Sequence, residues 1–243
     1  MEFTPNFKRK RSNFKDYIKF APFPSNPDGQ RYQGVFNGLS VEVADSKHKP
    51  IRILHDNGCY GKGSNSRGGP ISGEPDETLL LGLEEACVLA YYLDILEIKD
   101  TLDKDITWQE YVKAALEYDK EFISKLAAYL YLKSKNWIIK SGIKFGGDFL
   151  IYKQGPRHFH ASFLVLVHTS AYISNTHYVG KNLKGAQRVA ETSDKDVLIL
   201  GVNEPKDFDP ALPTPAALEC LTIDETVIRR FNYTSFVQSK QKQ

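Results

Sequence analysis

The chain lacks the features that define several protein classes. Its three cysteines, Cys59, Cys87 and Cys220, lie far apart and show no paired metal-ligand spacing. An odd, sparse set excludes a disulfide framework and suits a reducing compartment such as the cytosol or nucleus. No run of about 18 apolar residues occurs, so no membrane-spanning helix is expected. No N-terminal apolar stretch resembles a secretory signal. An excess of one charge is also missing: 32 Lys and Arg stand against 30 Asp and Glu, a net of +2. Any nucleic-acid binding must therefore come from local basic clusters, because there is no global field to supply it.

What is there fits a folded protein. The 41% hydrophobic and 12% aromatic content can build a real core, in one large domain or two modest ones. Residues 1–20 are polar, basic and aperiodic, and are expected to be a disordered tail. Within them, Lys8-Arg9-Lys10-Arg11 fits a nuclear import signal and a solvated tail equally well. Alternation in "RYQGVFNGLSVEV", Arg31 to Val43, predicts short strands or a hairpin. "HDNGCYGKGSNSRGGP", His55 to Pro70, is a loop by composition. It is not a P-loop, since Gly61-Lys62-Gly63-Ser64 lacks the spacer between glycines and no strong strand precedes it. The turn-rich stretch up to Glu77 sets the expected boundary, with an N-terminal β and Gly-rich region at 21–78 and a second unit at 79–237.

That second unit opens with helical spacing. Leu83, Cys87, Ala90 or Tyr91, and Leu93 line one face of "LEEACVLAYYLDIL". Thr107-Trp108-Gln109-Glu110 is a capping-box spacing that starts a helix to about Leu116. Asp119 is the expected N-cap of the next helix, with Phe122, Leu126 and Tyr129 on its apolar face. After Asn136 the period becomes two. "WIIK" and "KFGGDFLIY" read as paired strands turned at Ser141-Gly142, and "ASFLVLV" continues the sheet. A short helix at 181–190, the buried strand "DVLILGV" and a last strand in "LTIDETVIRRFNY" complete an α+β unit with a mostly antiparallel sheet.

Three polar residues stand where such a scaffold would hold them. Tyr152 closes "DFLIY", His160 ends the following loop at the threshold of "ASFLVLV", and Lys195 precedes "DVLILGV". A strand–loop–strand connection brings Tyr152 and His160 toward one cleft. Together the trio supplies a base, an acid and a fixed positive charge without a metal or cofactor. Those are the needs of RNA cleavage by the neighbouring 2′-hydroxyl. Taken singly, each residue also fits an ordinary role: a packed strand-end Tyr, a solvated loop His, a Lys flanking a strand.

Two segments carry a resemblance that separates these readings. "KSGIKFGGDFLIYKQGPRHFHASFLVLV" and "RVAETSDKDVLIL" resemble the core signatures of the tRNA-intron endonucleases, in the family's order. "HDNGCYGKGSNSRGGP" and "LGLEEACVLAYYLDILEI" are similar to the eukaryotic subunit type that cuts the 5′ splice site. The resemblance implies the endonuclease fold and a metal-independent, cofactor-free tRNA-intron lyase. In it Tyr152 acts as general base, His160 as general acid and Lys195 as transition-state stabiliser. His158 competes with His160, but "His-Ala-Ser" at the strand start favours His160. Arg188 and Phe231 are implied as an RNA-binding pair that pinches a base, Phe standing where relatives carry Trp. Implied partners are precursor tRNA, a second catalytic subunit and two structural subunits, in a nuclear heterotetramer. Two alternatives remain: the 3′-site-cutting subunit, and a non-catalytic structural or RNA-binding subunit.

Overall fold

The computed structural model describes residues 5, 7–10, 23–24, 26, 28–46, 50–66, 69–70, 77–169, 180–209, 211 and 213–229. Two five-stranded sheets share one core. The first begins with the expected hairpin, β1 (Tyr32–Phe36) and β2 (Val41–Ala44). Asn37 closes it by accepting the backbone N–H groups of Leu39 and Ser40 through its side-chain oxygen. A short helix α1 (Ile51–Asp56) follows, then β3 (Lys62–Gly63) and β4 (Thr78–Leu81). His55, expected in a loop, lies in the last turn of α1, because Ile51 and Leu54 bury one face of a helix too short to show a period.

Helix α2 (Leu83–Cys87) continues as a π turn through Val88–Tyr92 and stops well before the end of the apolar run. Asp94, at φ 55°, turns the chain into β5 (Leu96–Lys99). The expected long helix therefore splits into helix and strand: "LEIK" alternates buried and half-buried positions and pairs parallel with β1. The first sheet has the order β3-β4-β2-β1-β5. It draws strands from both sides of residue 78.

Helix α3 (Trp108–Tyr118) starts at the expected capping box, Thr107 bonding the backbone N–H of Glu110 and Glu110 bonding that of Thr107. Helix α4 (Phe122–Ser134) has Glu121 at its N-cap position; Asp119 instead binds the Glu121 N–H and the Lys125 ammonium. The second sheet follows: β6 (Ile138–Ser141), β7 (Phe149–Tyr152), β8 (Phe163–Thr169), helix α5 (Gly180–Thr192), β9 (Asp196–Asn203) and β10 (Thr222–Ile228). Its order is β10-β9-β8-β7-β6, antiparallel except for the β8/β9 pair. Residues 143–145 form a 3-10 turn between β6 and β7, so "KFGG" is not strand. Gly147 is needed there, because a Cβ would lie 2.9 Å from the Val165 carbonyl oxygen.

Alternation divides the second sheet between two cores. Ile139, Phe149, Ile151, Phe163, Val165, Leu198 and Leu200 join the main core with α4 and the first sheet. Leu150, Leu164 and Val197 face the other way and build a smaller core with Ala161 and with Ala190 of α5. The mixed α+β architecture with its mostly antiparallel second sheet is the one expected.

Candidate active site

The smaller core is the floor of the candidate site. Tyr152, the last residue of β7 and the register partner of Ile138, shares the face of Leu150 and packs half-buried against this core. Burial raises its phenol above the usual value, with a further push from Cys59. Beyond Tyr152 the chain must turn sharply. Gly155 does so at φ +86°, and a Cβ there would lie 2.7 Å from the Cys59 sulfur. Only glycine suits both the backbone angle and the close approach of the Gly-rich segment.

His160 is exposed, and the next residue, Ala161, is buried in the smaller core. The loop that presents it is tied down from a distance. The His160 N–H donates to the Lys8 carbonyl at 3.0 Å, the Lys10 N–H donates to the His158 carbonyl at 2.8 Å, and Arg9 bridges Phe159 in antiparallel register. Residues 8–10, expected to be disordered, thus form a strap along the His160 loop. For these three residues the expectation does not hold, because pairing with a segment 150 positions away leaves no local signal; residues 1–4, 6 and 11–20 lie outside the described residues. His158, the competitor, is buried beneath this strap. Burial, then Arg157 and Arg9, lower the pKa of its imidazole.

Lys195 is set by the turn from α5 into β9. Asp194 adopts φ 58°, and the Lys195 N–H donates to the Ala190 carbonyl at 2.9 Å. Its ammonium donates to the Ser193 carbonyl at 3.0 Å and lies 4.7 Å from the ring centroid of Phe145. Burial lowers its pKa. Phe145 packs on the same small core as Tyr152. Lys8 also pairs with Asp194, so the strap reaches the Lys195 turn as well as the His160 loop.

The fold therefore gathers Tyr152, the residue after His160, and the ring beneath Lys195 around one apolar cluster. The three side chains do not hydrogen-bond one another among the described residues. Arg188 is exposed on α5, two residues before buried Ala190. Phe231 lies outside the described residues. Among those described, no three His, Cys, Asp or Glu side chains form a metal-holding group, and no helix is long and apolar enough to cross a membrane.

Two supporting residues went unnoticed in the sequence although they stand inside the quoted signature. Phe145 seats the Lys195 ammonium. Asp148, whose carboxyl pKa burial raises, accepts the Val167 N–H at 2.7 Å and approaches Lys125 of α4 at 3.5 Å. A carboxylate within an apolar strand signature is the signal that marked Asp148.

Comparison with known proteins gives matches to one family over this part of the chain. Residues 122–209 match the family described as tRNA intron endonuclease, catalytic C-terminal domain. The tRNA-splicing endonuclease subunit Sen2 of Mus musculus is 29% identical over 167 residues, 64% of this chain and 35% of that protein. The subunit Sen2-1 of Arabidopsis thaliana is 28% identical over 199 residues, 80% of this chain and 76% of that protein. The tRNA-splicing endonuclease of Saccharolobus islandicus is 31% identical over 121 residues, 47% of this chain and 63% of that protein. The chain spans about a third of the length of the vertebrate relatives it matches (35% and 34%). Tyr152, His160 and Lys195 thus all lie within the segment, residues 122–209, that matches the family described as tRNA intron endonuclease, catalytic C-terminal domain.

Proposed function

We propose that the chain is a catalytic subunit of a tRNA-splicing endonuclease that cuts precursor tRNA at the 5′ splice site. The supporting observation is the convergence of Tyr152, the His160 loop and the Phe145 seat of Lys195 on one small core at the ends of β7, β8 and β9. Matches to proteins named Sen2 favour the 5′-cutting type. The assembly would include a second catalytic subunit and two structural subunits, acting in the nucleus.

The reaction joins the 2′-oxygen to phosphorus and breaks the bond from phosphorus to the 5′-oxygen. Tyr152, as phenolate, takes the 2′-hydroxyl proton, and His160 protonates the departing 5′-oxygen. Burial keeps Tyr152 a neutral phenol at rest, so only a small phenolate fraction is active near neutral pH. Lys195 is held at rest by one carbonyl and one ring face. It can leave both to meet the extra negative charge of the phosphorane. The products are a 2′,3′-cyclic phosphate and a 5′-hydroxyl end.

Reconstitution of the complex with Tyr152→Phe, His160→Ala or Lys195→Ala tests this. Each variant is expected to assemble and bind precursor tRNA but to lose 5′-site cleavage, and the parent complex is expected to cut in chelator. Unchanged cutting by all three variants would discard the assignment.

A further inference from the structure

A cavity of about 460 Å³ lies one strand away from Tyr152. Its walls include Ile138, the register partner of Tyr152, and Lys153 and Gln154, the two residues that follow it. Phe7 of the N-terminal segment and Trp137 form its aromatic side, and Cys59 of the Gly-rich segment closes it. The site thus draws on three distant stretches of chain, and its volume is on the scale of small-ligand pockets.

The chemistry of the walls selects one occupant. Trp137 stands edge-on to Phe163, with ring centroids 5.9 Å apart, and tilted against Phe7 at the same separation. Among the described residues its indole N–H has no hydrogen-bond partner. Lys153 lies 4.5 Å over the Phe7 ring and has no carboxylate partner among the described residues. Asp56 and Lys135, also at the cavity, are already paired with Arg52 and Glu225. Lys153 therefore sets the local charge, and it favours an anion. The Gln154 side-chain oxygen is buried without a hydrogen bond. Its carboxamide therefore loses no bond by turning toward an amino or imino group.

Aromatic rings, an unpaired cation and an uncommitted amide match a nucleotide: base, phosphate and base edge respectively. We infer that this cavity binds a nucleotide of the single-stranded RNA flanking the cut site, its base against Trp137 and its phosphate at Lys153. The inference rests on the reading of the chain as an RNA-cleaving subunit. It adds a substrate subsite separate from the Tyr152, His160 and Lys195 trio and from Arg188.

The test measures binding of the full chain to a short, labelled, single-stranded 2′-O-methyl RNA, which has no free 2′-hydroxyl and cannot be cut. Trp137→Leu is expected to weaken binding about tenfold, the scale of one lost base–aromatic stack. Lys153 is exposed, so Lys153→Gln avoids any folding defect. It is expected to reduce the slope of log affinity against log salt by about 0.7, one phosphate contact on a single strand. Unchanged affinity and salt slope in Lys153→Gln would overturn the inference. So would pocket variants that bind RNA normally but no longer assemble with partner subunits, which would make the cavity a protein contact. Tyr152→Phe separates the two readings. If it still cuts while the pocket variants lose binding, the catalytic reading fails and the pocket stands; if it stops cutting while they bind normally, the reverse holds.

Discussion

The backbone N–H of His160 donates to the carbonyl oxygen of Lys8 at 3.0 Å. A basic segment at one end of the chain is thereby bonded to the loop that carries the proposed general acid. The same Lys8 reaches Asp194, the residue before Lys195. One short strap thus touches the supports of two of the three proposed catalytic groups.

Removing residues 1–10 is therefore expected to slow cleavage by about 10²-fold, the scale of a misplaced catalytic group. The loss should fall mainly on kcat, with a smaller rise in KM because the truncation also takes Phe7 from the cavity wall. Lys8→Arg, which keeps the charge at Asp194, should retain most of the rate. Steady-state kinetics of the reconstituted complex checks the split; a truncation that only raises KM would assign the strap to substrate binding.

The Tyr152 phenol, raised by burial, fixes a feature of the pH–rate profile. A phenolate base and a protonated imidazole acid give a bell-shaped rate whose alkaline limb begins above the higher of their two pKa values. That limb should lie above pH 10, the ordinary value for tyrosine. Single-turnover rates on precursor tRNA across the alkaline range measure it in Lys195→Arg, which removes the lowered lysine titration from that range, and a falling limb below pH 9 there would remove Tyr152 from the base role.

Gly155→Ala should destabilise the chain by about 2–4 kcal/mol, from the positive φ and the overlap with the Cys59 sulfur. In a Cys59→Gly background the overlap disappears, and only the backbone cost of about 1 kcal/mol should remain. A double-mutant cycle from urea unfolding reads the difference. Additive effects would show that the two segments do not press on each other.

Lys133 is buried, 4.2 Å from the centroid of the Tyr60 ring, and burial lowers its pKa from 10.5 to about 8. The folded state then holds this proton less tightly than the unfolded chain. The cost to folding is full below about pH 8, roughly 3 kcal/mol, and fades as pH rises toward 10.5. Lys133→Met should be more stable than the parent near neutral pH by about 1–3 kcal/mol, after loss of the cation–ring contact. Its advantage should shrink between pH 8 and 10.5. Urea midpoints for both proteins across that range check the sign, and a constant difference would contradict it.

Elements with a strong local period were legible in advance. The Thr107 capping box, the β1–β2 hairpin and strands β7, β8 and β9 all stand where alternation or cap chemistry put them. The run from Leu83 to Leu96 misled, because β5 is held by pairing with β1, some 60 residues earlier. Helical spacing in an apolar run cannot distinguish a helix end from a strand whose partner lies elsewhere.

The sequence by itself determined the α+β alternation and the order of the signatures, and it put Tyr152, His160 and Lys195 at strand ends. These follow from side-chain period, turn residues and motif, all local in the chain. Only the tertiary structure decided that Lys8 straps the His160 loop, that Phe145 seats Lys195, and that Phe7, Cys59 and Trp137 share a cavity. Those relationships are contacts between distant segments, made by sheet register and by the closing of two cores, and no local pattern encodes them.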